Sequence, residues 1–343
     1  MGILLVLLGL SALVFVHELG HFLAAKYYGM GVIEFAIGFP PRILQKKIGR
    51  TVYSLGLIFL GGFVKIFEEN GEVTGKDEDQ NAVQAFFTKE ESFVAARPGA
   101  KAVVLAAGVI MNFLFGWLLF ALVFMIGTMP RIIIDKIFPE SPALAAGLMV
   151  GDEVIGFPDS RVFVEYIKAH QGKEAALTIR RKGKEMVLTP VIPLVSHEDK
   201  GALGVALSEF AGVEQRGFFS SAYEGLLMAF KMVFLILISL TQLFFLPADV
   251  LGPVGIVEVG AGTYASGIAY LFQFLGLLSI NLTVLNSLPI PALDGGRLLF
   301  LLIEKVRGRN LSEKFQMAAN SLSLALLFLL IILVTVKDIT RFL

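Results

Sequence analysis

The sequence predicts an α-helical integral membrane protein of about four transmembrane helices, with a membrane-associated β-loop and an inserted α+β domain. Three observations lead there. Hydrophobic residues make up 56% of the 343 residues and charged residues only 17%, whereas a soluble globular chain carries about 25% charge and about 45–50% apolar residues. The stretches 3–25, 103–127, 268–290 and 317–336 are apolar, and long enough to cross a hydrocarbon core of about 30 Å. Between the second and third of them, residues 130–216 carry more charge, shorter apolar runs and period-two alternation.

Composition also excludes classes of function. The 29 basic and 29 acidic residues cancel, so no global field favours nucleic acid. The absence of cysteine removes disulfide frameworks, cysteine nucleophiles, iron–sulfur clusters and cysteine zinc sites. It is compatible with either redox compartment.

The elements follow in order. The first span, 3–25, is long, with no positive leading region and no small-x-small exit, so it is not expected to be a cleavable signal. Val6 stands where myristoylation needs Ser or Thr. This span holds His17-Glu18-Leu19-Gly20-His21. On a helix, positions i and i+4 share a face, so both imidazoles can reach one ion. Glu18 is displaced around the helix and can approach a water without ligating. That is the H-E-x-x-H pattern of zinc hydrolases, in which the ion lowers the pKa of its water toward about 7 and the glutamate takes the proton. Ionisable groups within an apolar span are costly and mark function.

After this span, Val32–Gly38, Arg50–Leu57 and Ile58–Phe67 are β-prone runs punctuated by Gly49, Gly56, Gly61 and Gly62. They predict a hairpin or small sheet beside the membrane. Residues 68–98 are acidic and polar, which predicts a loop with a short helix. These elements and the span 103–127 form a first part, 1–128. In the inserted domain, 129–216, Arg161–His170 predicts a helix. Ala176–Arg181 and Glu185–Val191 predict two strands joined by a turn at 181–184. His170 and His197 are expected to be ordinary surface histidines.

A zinc hydrolase needs a third protein ligand and one open position. Without cysteine the choice is His, Asp or Glu. Asp294 is the best candidate, within Asn286-Ser287-Leu288-Pro289-Ile290-Pro291-Ala292-Leu293-Asp294-Gly295-Gly296. The prolines break a helix there and the glycines permit close backbone approach. The competing role for Asp294 is a helix cap just outside the membrane.

H-E-x-x-H in the first span, paired with N-x-x-P-x-P-x-L-D-G in a later one, resembles the site-2 protease family, in its RseP-like bacterial branch. The resemblance covers nearly the whole chain. It implies zinc held by His17, His21 and Asp294, with Glu18 as catalytic base. It implies that Asn281 and Asn286 lie near the substrate backbone or oxyanion, and that Gly61, Gly62 and Phe63 belong to a substrate-facing β-loop. Gly252-Pro253-Val254-Gly255-Ile256 is similar to the element that precedes the aspartate-bearing span. Pro139-Glu140-Ser141-Pro142-Ala143, Ala146-Gly147-Leu148 and Gly151-Asp152-Glu153-Val154-Ile155 resemble a single bacterial PDZ domain, a module that adds a peptide strand and holds its C-terminus.

By resemblance, the protein is a multi-pass intramembrane endopeptidase of a bacterial inner membrane with its PDZ domain extracytoplasmic. Its implied substrates are single-span proteins already cut by an upstream site-1 protease, of the anti-sigma-factor or remnant signal-peptide type. Peptide C-termini at the PDZ groove and the lipid bilayer are implied partners, and nucleic acid is not. An inactive PDZ-bearing scaffold and a metal transporter are the competing classes.

The remaining part, 217–343, poses a question of parity. Segment 226–247 is apolar enough to span. The histidines and Asp294 both lie toward the C-terminal ends of their spans, so those spans must cross in the same direction. An extra full crossing would reverse the second. Segment 226–247 is therefore expected to be an interfacial or re-entrant helix. Lys305, Arg307, Arg309 and Lys314 then fall in a cytoplasmic loop.

Overall fold

A computed structural model describes residues 2–68, 86–181, 184–193, 202–210, 212–243, 252–265 and 267–342. In chain order the elements begin with α1 (Gly2–Tyr27), β1 (Val32–Ile48), β2 (Thr51–Ile66), a 3-10 turn (Lys89–Glu91) and α2 (Pro98–Ile126). They continue with β3 (Arg131–Ile137), α3 (Pro142–Ala145), β4 (Glu153–Val154), α4 (Ser160–Ala169), β5 (Leu177–Arg181), β6 (Lys184–Leu188) and β7 (Val205–Phe210). The last are α5 (Phe218–Leu243), α6 (Pro253–Ala265), α7 (Ile268–Ser287), α8 (Asp294–Arg307) and α9 (Glu313–Phe342). The chain divides into two compact units, one of 1–121, 222–261 and 271–343, the other of 122–221 and 262–270.

In the first unit, α1, α2, α5, α7 and α9 are long and apolar enough to cross a membrane. A helix satisfies its own backbone polar groups, which lipid cannot do. Lipid also gives no hydrophobic drive between helices, so close packing at small residues holds them together. A Cβ on Gly20 of α1 would lie 2.5 Å from the Ala107 carbonyl of α2, and one on Gly116 of α2 would lie 2.7 Å from Ile280 of α7. Gly276 of α7 likewise abuts Phe120, and Gly9 of α1 abuts Leu275. Both α1 and α7 thus run antiparallel to α2 and parallel to each other.

The packing of α5 departs from a helix lying flat at an interface. Gly225 abuts Ala121, Trp117 Nε1 donates to the Ala222 carbonyl at 2.8 Å, and the Phe113 and Phe230 rings stand 5.1 Å apart. The helix therefore runs antiparallel beside α2. It starts at Phe218, ahead of the expected 226, and residues 244–247 lie outside the described residues. By Gly260, α6 has brought the chain against Val6 of α1 and Phe274 of α7. That is the level of the N-terminal halves of those helices. The direction of α7 relative to α1 is thereby kept.

Strands β1 and β2 make a folded sheet in place of three separate runs. Residues 34–37 pair on one side with 62–65 and on the other with 52–55, and 42–48 pair with 51–56. Residues 62–66 form an outer edge of this sheet among the described residues. Glu34 is fully buried and accepts from Arg42 at 3.0 and 2.9 Å and from Ser54 at 2.5 Å. Arg50 reaches the 3-10 turn and donates twice to Glu91, at 2.8 and 2.7 Å. Beside that guanidinium the Glu91 carboxyl is held down at about 2. This turn is the short helix expected within 68–98, of which 69–85 lie outside the described residues.

The second unit is an α+β domain. Its five strands pair antiparallel in the order β6-β5-β4-β3-β7. Ile132, Ile134, Leu148, Phe163, Leu177, Ile179 and Ile192 form its core. Asp159 caps α4 by accepting from the Val162 N–H at 2.9 Å, and Ser141 caps α3 by accepting from Leu144 at 3.2 Å. The second predicted strand, Glu185–Val191, stops at Leu188, and Val191 forms an isolated bridge to Glu174. The turn residues 182 and 183 lie outside the described residues.

Candidate metal centre

Three ligand-capable side chains from distant parts of the sequence converge. His17 Nε2 and His21 Nε2, one turn apart on α1, stand 3.2 Å from each other. Asp294 Oδ2 lies 3.1 Å from the first and 3.3 Å from the second. Among the described residues this is the one group of three or more His, Asp or Glu side chains placed to hold an ion.

Local sequence explains why Asp294 reaches this point. Pro289 and Pro291 cannot donate to a continuing helix, so α7 ends at Ser287. The chain turns tightly, with Ile290 N–H on the Leu288 carbonyl at 2.7 Å and Leu293 N–H on that of Ile290 at 2.9 Å. A Cβ at Gly295 would fall 2.4 Å from the Leu288 oxygen, and one at Gly296 would fall 2.1 Å from the Ile290 oxygen. Only glycine lets the start of α8 fold back so closely. Leu293 occupies the N-cap position without a side-chain bond, and Asp294 is the first helical residue. The Asp294 carboxylate therefore faces the histidines and is not a cap.

Helix α2 completes the surroundings. The His21 Nδ1–H donates to the Val104 carbonyl at 2.7 Å. Gly108 leaves space for both rings, since a Cβ there would lie 2.4 Å from His21 Nε2 and 2.7 Å from His17 Cε1. Asn112 sets its carboxamide 3.2 Å from His17 Nδ1.

The donor set fits a zinc ion. Bonds of about 2.0–2.1 Å in a tetrahedron put neighbouring ligand atoms about 3.3 Å apart, which the three observed separations match. Asp294 Oδ2 is buried with no hydrogen-bond donor, which is costly for a carboxylate unless a cation meets it. Two neutral imidazoles and one carboxylate leave the fourth position open.

The other sequence-derived candidates divide. Glu18 lies about 100° around α1 from His17, and Gly62 on the edge of β2 faces it: a Cβ there would be 3.5 Å from Glu18 Cγ. Gly61 is packed against the Phe39 ring, and Phe63 is paired with Ala36. Asn281 and Asn286 lie half-buried on α7. His170 ends α4 in the other unit, its Nδ1 on the Tyr166 carbonyl at 2.8 Å. His197 lies outside the described residues. Sequence reasoning missed Gly108 and Asn112. The signal was present, because Asn112 is the one carboxamide in the apolar run 103–127.

A model of the family described as Peptidase family M50 matches residues 5–330. The chain belongs to peptidase family M50. It is 32% identical to "Zinc metalloprotease RasP" of Geobacillus kaustophilus, with 97% of this chain and 96% of that protein aligned. It is 30% identical to "Regulator of sigma-W protease RasP" of Bacillus subtilis, over 96% of each. It is also 30% identical to "Membrane metalloprotease ARASP, chloroplastic" of Arabidopsis thaliana, over 96% of this chain and 76% of that protein. This M50 chain is a zinc metalloprotease of the site-2 type and a multi-pass membrane protein.

Proposed function

We propose that this M50 protein is an intramembrane endopeptidase that cleaves the transmembrane segments of single-span proteins after a first-site cut. The carrying observation is the convergence of His17 and His21 on α1 with Asp294 at the start of α8, with the β2 edge beside Glu18. Bound zinc supplies a Lewis acid and lowers the pKa of water toward about 7. The protein does the rest. Glu18 takes a proton from the attacking water and returns it to the leaving amine. The β-loop of Gly61, Gly62 and Phe63 faces the unwound substrate backbone, whose freed polar groups lipid cannot satisfy. Asn281 and Asn286 offer carboxamide donors to the oxyanion or to the substrate backbone.

The second unit serves as a PDZ domain of residues 129–216. A cleft of about 150 Å³ between α4 and edge strand β7, lined by Phe163, Ile167, Lys168, Leu203, Gly204 and Val205, supports capture of a peptide C-terminus. The protein lies in a bacterial inner membrane with this domain outside. Helices α5 and α6 enter and return as a re-entrant pair, giving four full crossings by α1, α2, α7 and α9. The substrates are of the anti-sigma-factor or remnant signal-peptide type, as the name of the sigma-W relative suggests.

Zinc content and cleavage of a model transmembrane substrate test the activity, with Glu18→Gln as the control. The variant is expected to keep zinc and lose about 10²–10⁴-fold or more in turnover. Normal cleavage by Glu18→Gln would overturn its role as base. Zinc without cleavage in the wild type would favour an inactive scaffold, and zinc flux would favour a transporter. Topology is tested by labelling single cysteines, which is clean because the chain has none. Exposed Phe219 and Ile268 are expected to label from one side and Arg309 from the other. Labelling of Phe219 and Ile268 from opposite sides would refute the re-entrant pair.

A further inference from the structure

The face that α2 turns to the metal centre carries three positions one turn apart, Val104, Gly108 and Asn112. The first supplies an acceptor to His21 Nδ1–H at 2.7 Å. The second is a gap into which both imidazoles fit. The third, Asn112, is fully buried, and its carboxamide lies 3.2 Å from His17 Nδ1. Its backbone carbonyl accepts from Ser279 of α7 at 2.7 Å, which fixes that part of α2. The side-chain oxygen of Asn112 is buried with no partner.

This orphan has a chemical explanation. His17 Nε2 faces Asp294 and His21, so to ligate it must present a lone pair there. Its proton then sits on Nδ1, which becomes a donor. A donor needs an acceptor, and the two ends of a carboxamide are interchangeable in shape. With the amide NH₂ toward Nδ1, two donors oppose each other and the oxygen is stranded. Rotating the amide by 180° sets the oxygen on Nδ1–H and removes both defects, leaving one unpaired NH₂ group. Resting on the zinc reading above, we propose that Asn112 is a positioning residue: its side-chain oxygen accepts from His17 Nδ1–H, holding the ring in the tautomer and orientation that ligate. Asn112 would then do for His17 what the Val104 carbonyl does for His21. Such outer partners typically contribute about 10–100-fold in metal affinity.

The test measures zinc affinity by chelator competition on the full-length protein in detergent, independently of turnover. Asn112→Leu removes the acceptor at similar volume, and Asn112→Ala removes it without added bulk. Asn112→Asp keeps an acceptor oxygen at the same reach but has no NH₂. The Leu and Ala variants are expected to bind zinc about 10–100-fold more weakly. The Asp variant is expected to stay within a few-fold of wild type. Wild-type affinity in the Ala variant, or an Asp variant as weak as Ala, would overturn the proposal. The second result would identify an ordinary interhelical contact made through the NH₂ group. Failure of the wild type itself to bind zinc would instead count against the metal centre, so the two readings fail separately.

Discussion

Buried carboxylates of the second unit and the buried oxygens of the metal centre are treated differently, and Glu34 of the first unit, paired with Arg42, sides with the second unit. In the sheet-based unit, Asp152 is 1% exposed and accepts from Arg181 at 2.7 and 2.6 Å. Its neighbour Glu153 takes Arg131 at 2.9 Å and Arg180 at 3.3 Å. Both carboxylates meet a cation supplied by the chain. At the metal centre, Asp294 Oδ2 and Asn112 Oδ1 are buried without hydrogen-bond partners. Burying a polar group costs free energy unless something compensates. Closed networks therefore belong to architecture, and orphans within a set of ligand-type side chains point to chemistry. Asn320 Oδ1 on α9 is a further orphan, and nothing in the structure explains it.

Three substitutions can break or sharpen this contrast. The largest effect is expected from Asp294→Ala, which on the proposed zinc reading removes a ligand and not a structural partner. Zinc content should collapse, beyond the 10–100-fold typical of outer partners, and cleavage with it, while membrane insertion persists. Full zinc occupancy by elemental analysis would return Asp294 to a structural role. Asp152→Ala should do the opposite. It removes the buried acceptor of Arg181 and of the Met149 N–H and is expected to destabilise its unit by about 1–3 kcal/mol, seen as faster hydrogen exchange in β3–β5, with zinc unchanged. Loss of zinc in that variant would erase the distinction between the two classes.

The smallest effect is expected at Arg50, in the first unit but at the surface. Arg50→Ala should cost under about 1 kcal/mol, because exposed pairs are screened. The sign of its pH dependence follows from Glu91. A carboxyl held at about 2, below its unfolded value of about 4.3, adds stability above that unfolded value. The contribution is lost as pH falls through about 2. The Tm difference between Arg50→Ala and wild type should therefore be present at pH 7 and shrink on acidification. A difference that grows toward low pH would contradict the pairing.

Much was legible without coordinates. Apolar length marked the spans because bilayer thickness sets a length that any crossing helix must meet. The i, i+4 histidines declared a metal face because helix geometry is local. The capped helix and the β5–β6 pair of the second unit were legible for the same reason. Asp294 could be named as a candidate, but its competing role as a cap could not be dismissed from residues 286–296 alone. The difference depends on which way one carboxylate points.

Only the tertiary structure decided the rest. It paired β1 with both halves of β2 and set Gly62 beside Glu18. It stood α5 against α2, where hydropathy alone could not tell a flat helix from a packed one. It brought Asn112 to His17 across 95 residues of sequence. Periodicity and propensity act over one or two turns of chain. A metal centre is made of groups far apart in sequence, and which of them meet depends on the close approaches that glycines such as Gly20, Gly108 and Gly296 allow between particular elements.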